Sequence, residues 1–219
     1  MSRSVVLNVP GKINLSLEVL GRRADGYHEI AGIFATIDLR DRVRVAHARN
    51  LDVRVSPPVV GEDLSARAVN ALAGATGRAP HAHVRVRKRI PVAAGLGGGS
   101  ADAAAVLRGL ARLWRVDGID LCAVGAGIGS DVPFFASAAP FALVRGRGEL
   151  VEPLPMPAVP LWIVLVNVAG QVSTAAVFAT VSARRAQSTH ATAIATMLRE
   201  GGATPGDLRA HLVNDLGLD

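Results

Sequence analysis

Four glycines fall within five residues near the middle of this 219-residue chain: Gly95, Gly97, Gly98 and Gly99. Glycine lacks a Cβ atom, so such a loop can adopt positive φ angles and bring its backbone close to a ligand. The loop follows an alternating segment, Ala82–Lys88, and precedes an apolar segment with helical spacing, Ala103–Trp114. A helix that begins here directs its first N–H groups and the positive end of its dipole toward the loop. The sequence therefore predicts an anion site, of the kind that binds phosphate.

The glycine loop does not match the common nucleotide-binding motifs. No Gly-Lys-Ser/Thr follows the glycines, as a Walker P-loop requires, and Gly95–Ser100 lacks the G-x-G-x-x-G spacing of a dinucleotide fingerprint. A flexible linker is the plain alternative for a glycine cluster. The preceding strand and Ser100, a good helix N-cap, favour an ordered phosphate loop. Asp102 lies in the first turn, where a negative charge favours the helix dipole.

Composition and charge indicate a globular protein with anionic ligands. Half of the residues are hydrophobic and 19% are charged, which is typical of a packed core. The net charge of +6 suits either an enzyme with anionic substrates or a nucleic-acid-binding protein, and the scattered basic residues favour the enzyme. Only two of the 24 basic residues are lysines, Lys12 and Lys88, and both lie beside turns marked by glycine or proline. Lysine is a compact point charge, whereas arginine is a wide planar fork.

Several features bear on the compartment of the protein. A single cysteine, Cys122, excludes an internal disulfide framework and a cysteine-based zinc site. The N-terminus runs directly into an alternating segment and shows no signal peptide. The longest apolar runs, Pro133–Val144 and Leu161–Ala169, are too short to span a bilayer. We therefore expect a cytoplasmic protein with no membrane partner.

The pattern along the chain predicts a strand-rich N-terminal third followed by mixed elements. Strands are expected over these segments: Ser4–Val9, Lys12–Leu20, Glu29–Ile37, Arg42–Val45, Leu51–Val55, Ala82–Lys88, Phe141–Val144, Glu149–Val151 and Leu161–Val168. Turns are expected at Pro10-Gly11 and Asp38–Asp41. Helices are expected over these segments: Asp63–Ala75, Ala103–Trp114, Ile119–Val124, Ser173–Val181, Thr192–Glu200 and Pro205–Leu212. Four prolines between Pro153 and Pro160 mark a linker, which divides the chain into domains 1–152 and 153–219.

Three short segments carry candidate functional side chains. Lys12 and Asn14 lie on the polar face of the Lys12–Leu20 strand, together with Ser16 and Glu18, and such a face is usually solvated. Tyr27 and His28 follow an Asp-Gly turn and suit contact with a flat ligand, although exposed loop histidines are common. Asp131 follows a Gly-Ser turn and is either a capping aspartate or a catalytic one.

Four segments, in this order, resemble the galactokinase, homoserine kinase, mevalonate kinase and phosphomevalonate kinase (GHMP) superfamily. They are Pro10–Leu15, Arg23–His28, Lys88–Ala103 and Gly129–Phe135. Weaker matches follow at Val172–Thr174 and Asn214–Leu216. The Asp-Gly-Tyr-His loop is the most specific segment, because within the superfamily it resembles kinases that phosphorylate a cytidyl diphosphate sugar alcohol in non-mevalonate isoprenoid synthesis. The resemblance implies a two-domain α+β fold with mixed and antiparallel sheets.

The resemblance also implies roles for individual residues. The ATP phosphates would be held by the glycine loop and its flanks: Lys88, Pro91, Gly95, Leu96, Gly97, Gly98, Gly99, Ser100 and Ala101. Asp131 would be the catalytic base for the substrate hydroxyl, with Lys12 beside it to stabilise charge. Asn14 would contact the substrate, and Tyr27 and His28 would recognise cytosine. Mg²⁺ would accompany ATP without direct protein ligands, and the only partner expected is the small-molecule substrate.

The sequence departs from the superfamily pattern at three places. Ala101 stands where the family usually has a second serine, and Asp63-Leu64 stands where many members have Asn-Leu, which weakens an adenine contact there. The third superfamily motif, a glycine-rich loop near the C-terminus, is not in the sequence, so the C-terminal domain is expected to be incomplete. Two alternatives stay open: an inactive nucleotide-binding homologue, because of the missing motif, and an RNA-binding module, because of the positive charge.

Overall fold

The computed structural model describes residues 3–59, 63–166, 177–178, 187–201 and 203–217. The strands are β1 Ser4–Arg22, β2 His28–His47, β3 Asp52–Ser56, β4 Ala82–Arg87, β5 Phe141–Gly146 and β6 Leu150–Pro153. The helices are α1 Leu64–Thr76, α2 Gly98–Trp114, α3 Leu121–Ala126, α4 Val132–Ser137, α5 His190–Arg199 and α6 Pro205–Arg209. No helix within these ranges is long and apolar enough to cross a membrane.

The chain forms two compact units. Unit 1 contains residues 1–12, 37–92 and 96–138, and unit 2 contains residues 13–36, 93–95 and 139–219. The units do not follow the predicted division into 1–152 and 153–219, because β1 and β2 each contribute residues to both.

Unit 1 is a small mixed sheet with helices. The second half of β2 pairs antiparallel with β4, with Val43 opposite Val86 and Val45 opposite Val84. Strand β3 pairs parallel with β4 on its other side. Helix α1 packs on α2, and α2 packs in turn on α3 and α4. The core lies between these layers, where alternating valines of the strands meet the apolar stripe of α2.

Unit 2 is an antiparallel sheet that packs against helix α5. The first half of β2 pairs with β5, and β5 pairs with β6 through a turn at Gly146–Glu149. The buried core joins Ile33 of β2, Leu143 of β5, and Ile194 and Leu198 of α5. Because α5 places apolar residues three and four positions apart, one of its faces can cover the sheet.

Strand β1 forms hydrogen bonds with the C-terminal segment of unit 2. Leu17 N–H donates to the carbonyl oxygen of Val213 at 2.8 Å, and Asp215 N–H donates to the Leu17 carbonyl oxygen at 2.9 Å. Val19 N–H donates to the Asp215 carboxylate at 2.9 Å. Strand β1 therefore carries hydrogen bonds between segments that are nearly 200 residues apart.

Glu18 of β1 is fully buried and caps helix α5. Its carboxylate accepts hydrogen bonds from the backbone N–H groups of Thr189, His190 and Ala191 and from the Ser188 hydroxyl. Burial raises the pKa of Glu18, but the donors, led by Ala191 N–H, hold its pKa below the ordinary value. Of the two interpretations of the polar face of this strand, the solvated one does not hold, since Lys12, Ser16 and Glu18 are all buried.

Two predicted turns are wrong because the strands continue through them. Pro10-Gly11 lies inside β1, and Asp38–Asp41 lies inside β2. A proline is compatible with a strand where its missing N–H is not needed for the ladder. Asp41 is retained in a strand because its side chain is buried and bonded, as described below.

The C-terminal elements are confirmed in part. Helices α5 and α6 match the two predicted helices closely, whereas the predicted Ser173–Val181 helix lies outside the described residues except at 177–178. The predicted strand Leu161–Val168 is wrong over residues 161–166, which form neither helix nor strand and expose Trp162 to 95%. An apolar run predicts burial only where another segment covers it, and no described strand pairs with this one.

Candidate active site

The glycine loop leads into the start of α2, where the geometry suits an anion. Gly97 is the helix N-cap, with φ 67° and ψ 17°, and α2 begins at Gly98. The prediction that Ser100 is the N-cap is therefore wrong: Ser100 is the third helical residue. The left-handed conformation of Gly97 turns the chain into the helix without a side-chain cap, and its carbonyl oxygen accepts the Ala101 N–H at 2.9 Å. The first N–H groups of α2 have no intrahelical partner and are oriented to bind an anion.

Neighbouring side chains leave no space at Gly97 for a larger residue. A Cβ atom there would lie 2.9 Å from Cε2 of Phe135 and 3.1 Å from Cγ of Lys12. Two constraints therefore require glycine at this position, the positive φ angle and the close packing.

We expect Gly97→Ala to destabilise the protein more than Gly77→Ala, its matched control. Gly77 has a similar φ of 63° but nothing within 4 Å of the Cβ position. The backbone strain of about 1–2 kcal/mol is shared by both variants. Gly97→Ala adds an overpacking cost of about 1–3 kcal/mol. Urea unfolding measures both, and equal losses of unfolding free energy would contradict the packing argument.

Lys12 and Asp131 form an ion pair beside this loop. Lys12 Nζ lies 3.5 Å from Asp131 Oδ2, and the two side chains are 6% and 29% exposed. The Lys12 N–H donates to the carbonyl oxygen of Leu96 at 2.8 Å, which attaches β1 to the loop. The structure thus brings together three elements that lie far apart in the sequence: the lysine of β1, the phosphate loop and Asp131.

Asp131 occupies the N-cap position of α4 but does not cap it. Its backbone has helical angles and its side chain makes no capping hydrogen bond. Asp120 at the start of α3 does cap, accepting the N–H groups of Cys122 and Ala123. The Asp131 carboxylate is therefore directed to Lys12 and partly to solvent, where it can accept a proton from a ligand.

Lys88 forms a buried triad with Asp41 and Asp102 beside the N-terminal part of α2. Its ammonium lies 2.7 Å from Asp102 Oδ2 and also contacts Asp41 Oδ2, and its side chain is 7% exposed. Asp41 Oδ1 accepts the Arg89 and Ile90 N–H groups. A Cβ atom on Gly98 would lie 3.0 Å from Lys88 Nζ. The Lys88 charge is therefore neutralised within the protein. The prediction that Asp102 lies in the first turn is wrong, because α2 begins at Gly98 and Asp102 is its fifth residue, where the carboxylate pairs with Lys88.

The triad places two buried carboxylates beside one ammonium. Burial raises the pKa of Asp102 to about 7; Lys88 opposes this rise and Asp41 adds to it. Oδ1 of Asp102 is buried without a hydrogen-bond partner among the described residues, which agrees with a carboxylate that is poorly solvated.

This arrangement predicts a loss of stability as the pH rises from about 4 to about 7. The folded state holds a proton on Asp102 in this range, whereas the unfolded chain has lost it. One linked proton changes the folding equilibrium by at most about tenfold per pH unit. Asp102→Asn should flatten the dependence when urea unfolding is repeated across this range. Asp52→Asn is the control, because Arg85 first of all lowers the pKa of this exposed carboxyl. An unchanged slope in Asp102→Asn would contradict the assignment.

The predicted substrate residues lie in unit 2. Tyr27 lies in the turn between β1 and β2, and His28 is the first residue of β2. In this turn Tyr27 N–H donates to Asp25 Oδ1 at 3.1 Å, and Arg23 N–H donates to the Tyr27 carbonyl oxygen at 2.8 Å. Tyr27 is 49% exposed. The His28 ring stacks on Phe178 with 5.3 Å between ring centroids. Asn14 is half-buried on β1.

The other predicted residues have simpler surroundings. Gly99 is exposed, Pro91 and Ser100 are half-buried, and the Ala101 methyl is fully buried while its N–H is used within α2. Asp63 is the N-cap of α1 and accepts the Ser65 N–H at 2.9 Å. Its side chain is therefore used in capping, which explains an aspartate at this position without a ligand.

Three residues near the predicted site residues have only weak signals in the sequence. The pattern predicts a turn at Asp41, a connection between two strands at Arg147 and a helix around Phe178, and it indicates no function for any of them. The scarcity of lysine was the usable signal, since both lysines are buried and paired with carboxylates. A compact ammonium fits such sites better than a planar guanidinium.

The part of the chain that the structure describes offers no ready-made metal site. No group of three or more histidine, cysteine, aspartate or glutamate side chains there could hold a metal ion. Mg²⁺ in nucleotide sites usually keeps several waters and binds the phosphates together with one or two carboxylates. A magnesium ion held here by phosphates and water would leave the partly exposed Asp131 carboxylate available to accept a proton.

Comparison with known proteins agrees with this geometry. Residues 63–139, which contain the phosphate loop and Asp131, match the family model described as GHMP kinases N terminal domain. The match, together with the mixed α+β fold and the Lys12–Asp131 pair, identifies a chain of the GHMP kinase class. A 4-diphosphocytidyl-2-C-methyl-D-erythritol kinase of Symbiobacterium thermophilum is 49% identical over 161 residues, and one of Paramagnetospirillum magneticum is 42% identical over 172 residues. The chain belongs to the 4-diphosphocytidyl-2-C-methyl-D-erythritol kinase family.

Solved structures support the same assignment. A crystal structure of 4-(cytidine 5′-diphospho)-2C-methyl-D-erythritol kinase superposes with a TM-score of 0.70 at 32% identity, covering 97% of this chain and 75% of that one. The phosphomevalonate kinase of Streptococcus pneumoniae superposes with a TM-score of 0.64 at 12% identity, which supports the fold alone. The expected superfamily and α+β fold are confirmed.

The chain spans only part of its relatives. The matches cover 70% and 75% of this chain but 56% of the Symbiobacterium protein and 59% of the Paramagnetospirillum protein.

Proposed function

We propose that this protein transfers the γ-phosphoryl group of ATP to the 2-hydroxyl of 4-diphosphocytidyl-2-C-methyl-D-erythritol. The observation that carries the proposal is the Lys12–Asp131 pair, 3.5 Å apart, with Lys12 bonded through its backbone to the phosphate loop. Phosphoryl transfer requires mainly positioning, neutralisation of charge, and one group that orients or deprotonates the nucleophile. The loop, the lysine and the aspartate supply these three requirements. The names of the relatives favour this function over an RNA-binding one.

In the proposed reaction, Asp131 accepts the proton of the substrate 2-hydroxyl while the hydroxyl oxygen forms a bond to the γ-phosphorus of ATP. The bond between the γ-phosphorus and the bridging oxygen breaks, and ADP leaves. Lys12 and the N-terminus of α2 stabilise the negative charge on the transferred group. Mg²⁺ bound with ATP would neutralise part of the phosphate charge.

The remaining predicted residues bind and position the reactants. We assign contact with the ATP phosphates to the backbone from Gly95 to Ser100. Lys88 acts on ATP indirectly, because its ammonium is bonded to Asp41 and Asp102 and holds the helix that meets the phosphates. Tyr27 and His28 would contact the cytosine ring and Asn14 the sugar alcohol.

A coupled assay of ADP release tests the proposal. The chain is incubated with ATP, Mg²⁺ and the cytidyl substrate, and the phosphorylated product is identified by mass. The control is the same sugar alcohol phosphate without its cytidyl group, which should give little turnover. ATP binding by calorimetry without substrate-dependent ADP release would instead favour the nucleotide-binding homologue. If the chain neither binds ATP nor releases ADP in the presence of the substrate, the proposed kinase function of this chain is wrong.

A further inference from the structure

The turn between β5 and β6 presents an arginine to the only tyrosine of the protein. Arg147 Cζ lies 4.8 Å from the centroid of the Tyr27 ring, over its face. A guanidinium at this distance is attracted by the negative face of an aromatic ring. The sequence predicted only a closing hairpin here, and the residues of its turn have no part in the phosphoryl transfer described above.

The backbone of the turn that carries Arg147 is constrained on both sides of this residue. Gly146 and Gly148 have φ angles of 75° and 124°, which favour glycine. Arg147 N–H donates to Glu149 Oε2 at 2.6 Å, and a Cβ atom on Gly146 would lie 2.5 Å from the same oxygen. The Glu149 side chain therefore folds back into space that only a glycine leaves open, and it fixes the peptide that carries Arg147.

The loop that carries Tyr27 is equally constrained. Arg23 pairs with Asp25 at 3.2 Å and with Glu29 at 2.5 Å, and Gly26 N–H donates to the Arg23 carbonyl oxygen. The pKa of Asp25 lies below its ordinary value, chiefly because it accepts the Tyr27 N–H, and the charges of Arg23 and Arg147 also lower it. Arg147 thus faces both the ring and the carboxylate of this loop.

We propose that Arg147 is a specificity-determining residue, which covers one face of Tyr27 and orients its exposed ring to stack on the pyrimidine base of the substrate. The inference rests on the proposed function, because it requires Tyr27 to meet the cytosine ring. Tyr27 is about half exposed although a guanidinium lies over one ring face, so surface remains for a second planar group. A ring fixed in advance loses less freedom when a base stacks on it.

Steady-state kinetics provide the first test. Arg147→Met should raise KM for the cytidyl substrate and leave KM for ATP and kcat nearly unchanged. A cation–π contact is worth a factor of about 2 to 5 when exposed and about 30 when desolvated, which brackets the expected rise in KM. Arg145→Met is the matched control, since Arg145 pairs with Glu152 at 3.2 Å on the same hairpin and should leave KM unchanged. An equal effect of the two substitutions would overturn the proposal.

The second test does not depend on turnover. Because Tyr27 is the only tyrosine, ¹³C-labelled tyrosine gives a single set of ring signals in an NMR spectrum. Wild type should show ring contacts to the Arg147 side chain, and cytidine 5′-diphosphate should shift the Tyr27 signals. Arg147→Met should weaken that binding, and Arg145→Met should not. Equal binding in wild type and Arg147→Met overturns the role of Arg147 even if the kinase is active. If wild-type Tyr27 does not respond to cytidine 5′-diphosphate, the cytosine contact fails and the inference fails with it. An inactive wild type that still shows the Arg147-dependent response contradicts only the proposed reaction.

Discussion

Asp131→Asn is expected to lower kcat by about 10²- to 10⁴-fold, the usual contribution of a positioned general base. Asparagine has a similar shape but cannot accept the hydroxyl proton. Because the Asp131 side chain does not cap α4, the loss cannot come from an unravelled helix end. KM for ATP should change little, since the phosphates are assigned to the loop and to α2. Steady-state ADP release, with circular dichroism to verify folding, measures the effect.

Asp120→Asn is the control for this prediction. Asp120 stands at the equivalent position of α3 and does cap it, and asparagine caps a helix nearly as well as aspartate. Its kcat should therefore be that of wild type. Turnover by Asp131→Asn at the wild-type rate would remove Asp131 from the mechanism.

Lys88→Met is expected to cause the largest loss of stability. Removing the ammonium leaves the Asp41 and Asp102 carboxylates buried beside each other without a cation. Breaking a buried ion pair in this way costs about 3–5 kcal/mol. For a chain of this size, each kcal/mol lowers Tm by about 2–4 °C. Differential scanning calorimetry measures the shift.

Two variants separate a buried charge effect from a general loss of a basic residue. Arg85→Met removes a half-buried partner of Asp52, 2.7 Å away, and should cost about 1 kcal/mol because Asp52 keeps contact with water. Adding Asp102→Leu to Lys88→Met removes one of the two unpaired carboxylates and should recover part of the stability. A Lys88→Met variant no less stable than Arg85→Met would show that the triad does not support α2.

Much of the fold could be predicted from local sequence patterns. The apolar spacing over Asp63–Ala75 predicts helix α1, which spans Leu64–Thr76, and the β5–β6 hairpin turns at Gly146 and Gly148. Local patterns failed where distant groups decide the outcome. Aspartate is common in turns, but the Asp41 carboxylate accepts hydrogen bonds from two backbone N–H groups and from the Lys88 ammonium, all in the segment after β4. These bonds hold Asp41 within β2, so the strand continues.

The sequence predicts the members of the candidate site better than it predicts their surroundings. The grouping of Lys12, the glycine loop and Asp131 followed from the order of the motifs, since no spacing in the sequence shows that they meet. The position of Lys88 near the loop was expected, but its burial between two carboxylates was not, because Asp41 lies 47 residues before it. Side-chain direction at such distances is decided by tertiary packing, which periodicity does not report.

The bonds of strand β1 have a consequence for the order of events during synthesis. Val19 and its partner Asp215 are separated by 196 residues, so at about 5–20 residues per second they are made about 10–40 s apart. Glu18 of the same strand likewise has no capping partner until Ser188 to Ala191 have been made. Unit 1 contains only residues up to 138, so its contacts can form while the remainder of the chain is still being made. Strand β1 therefore meets its two sets of partners at different times: β2 follows it directly, whereas Val213 and Asp215 are made tens of seconds later.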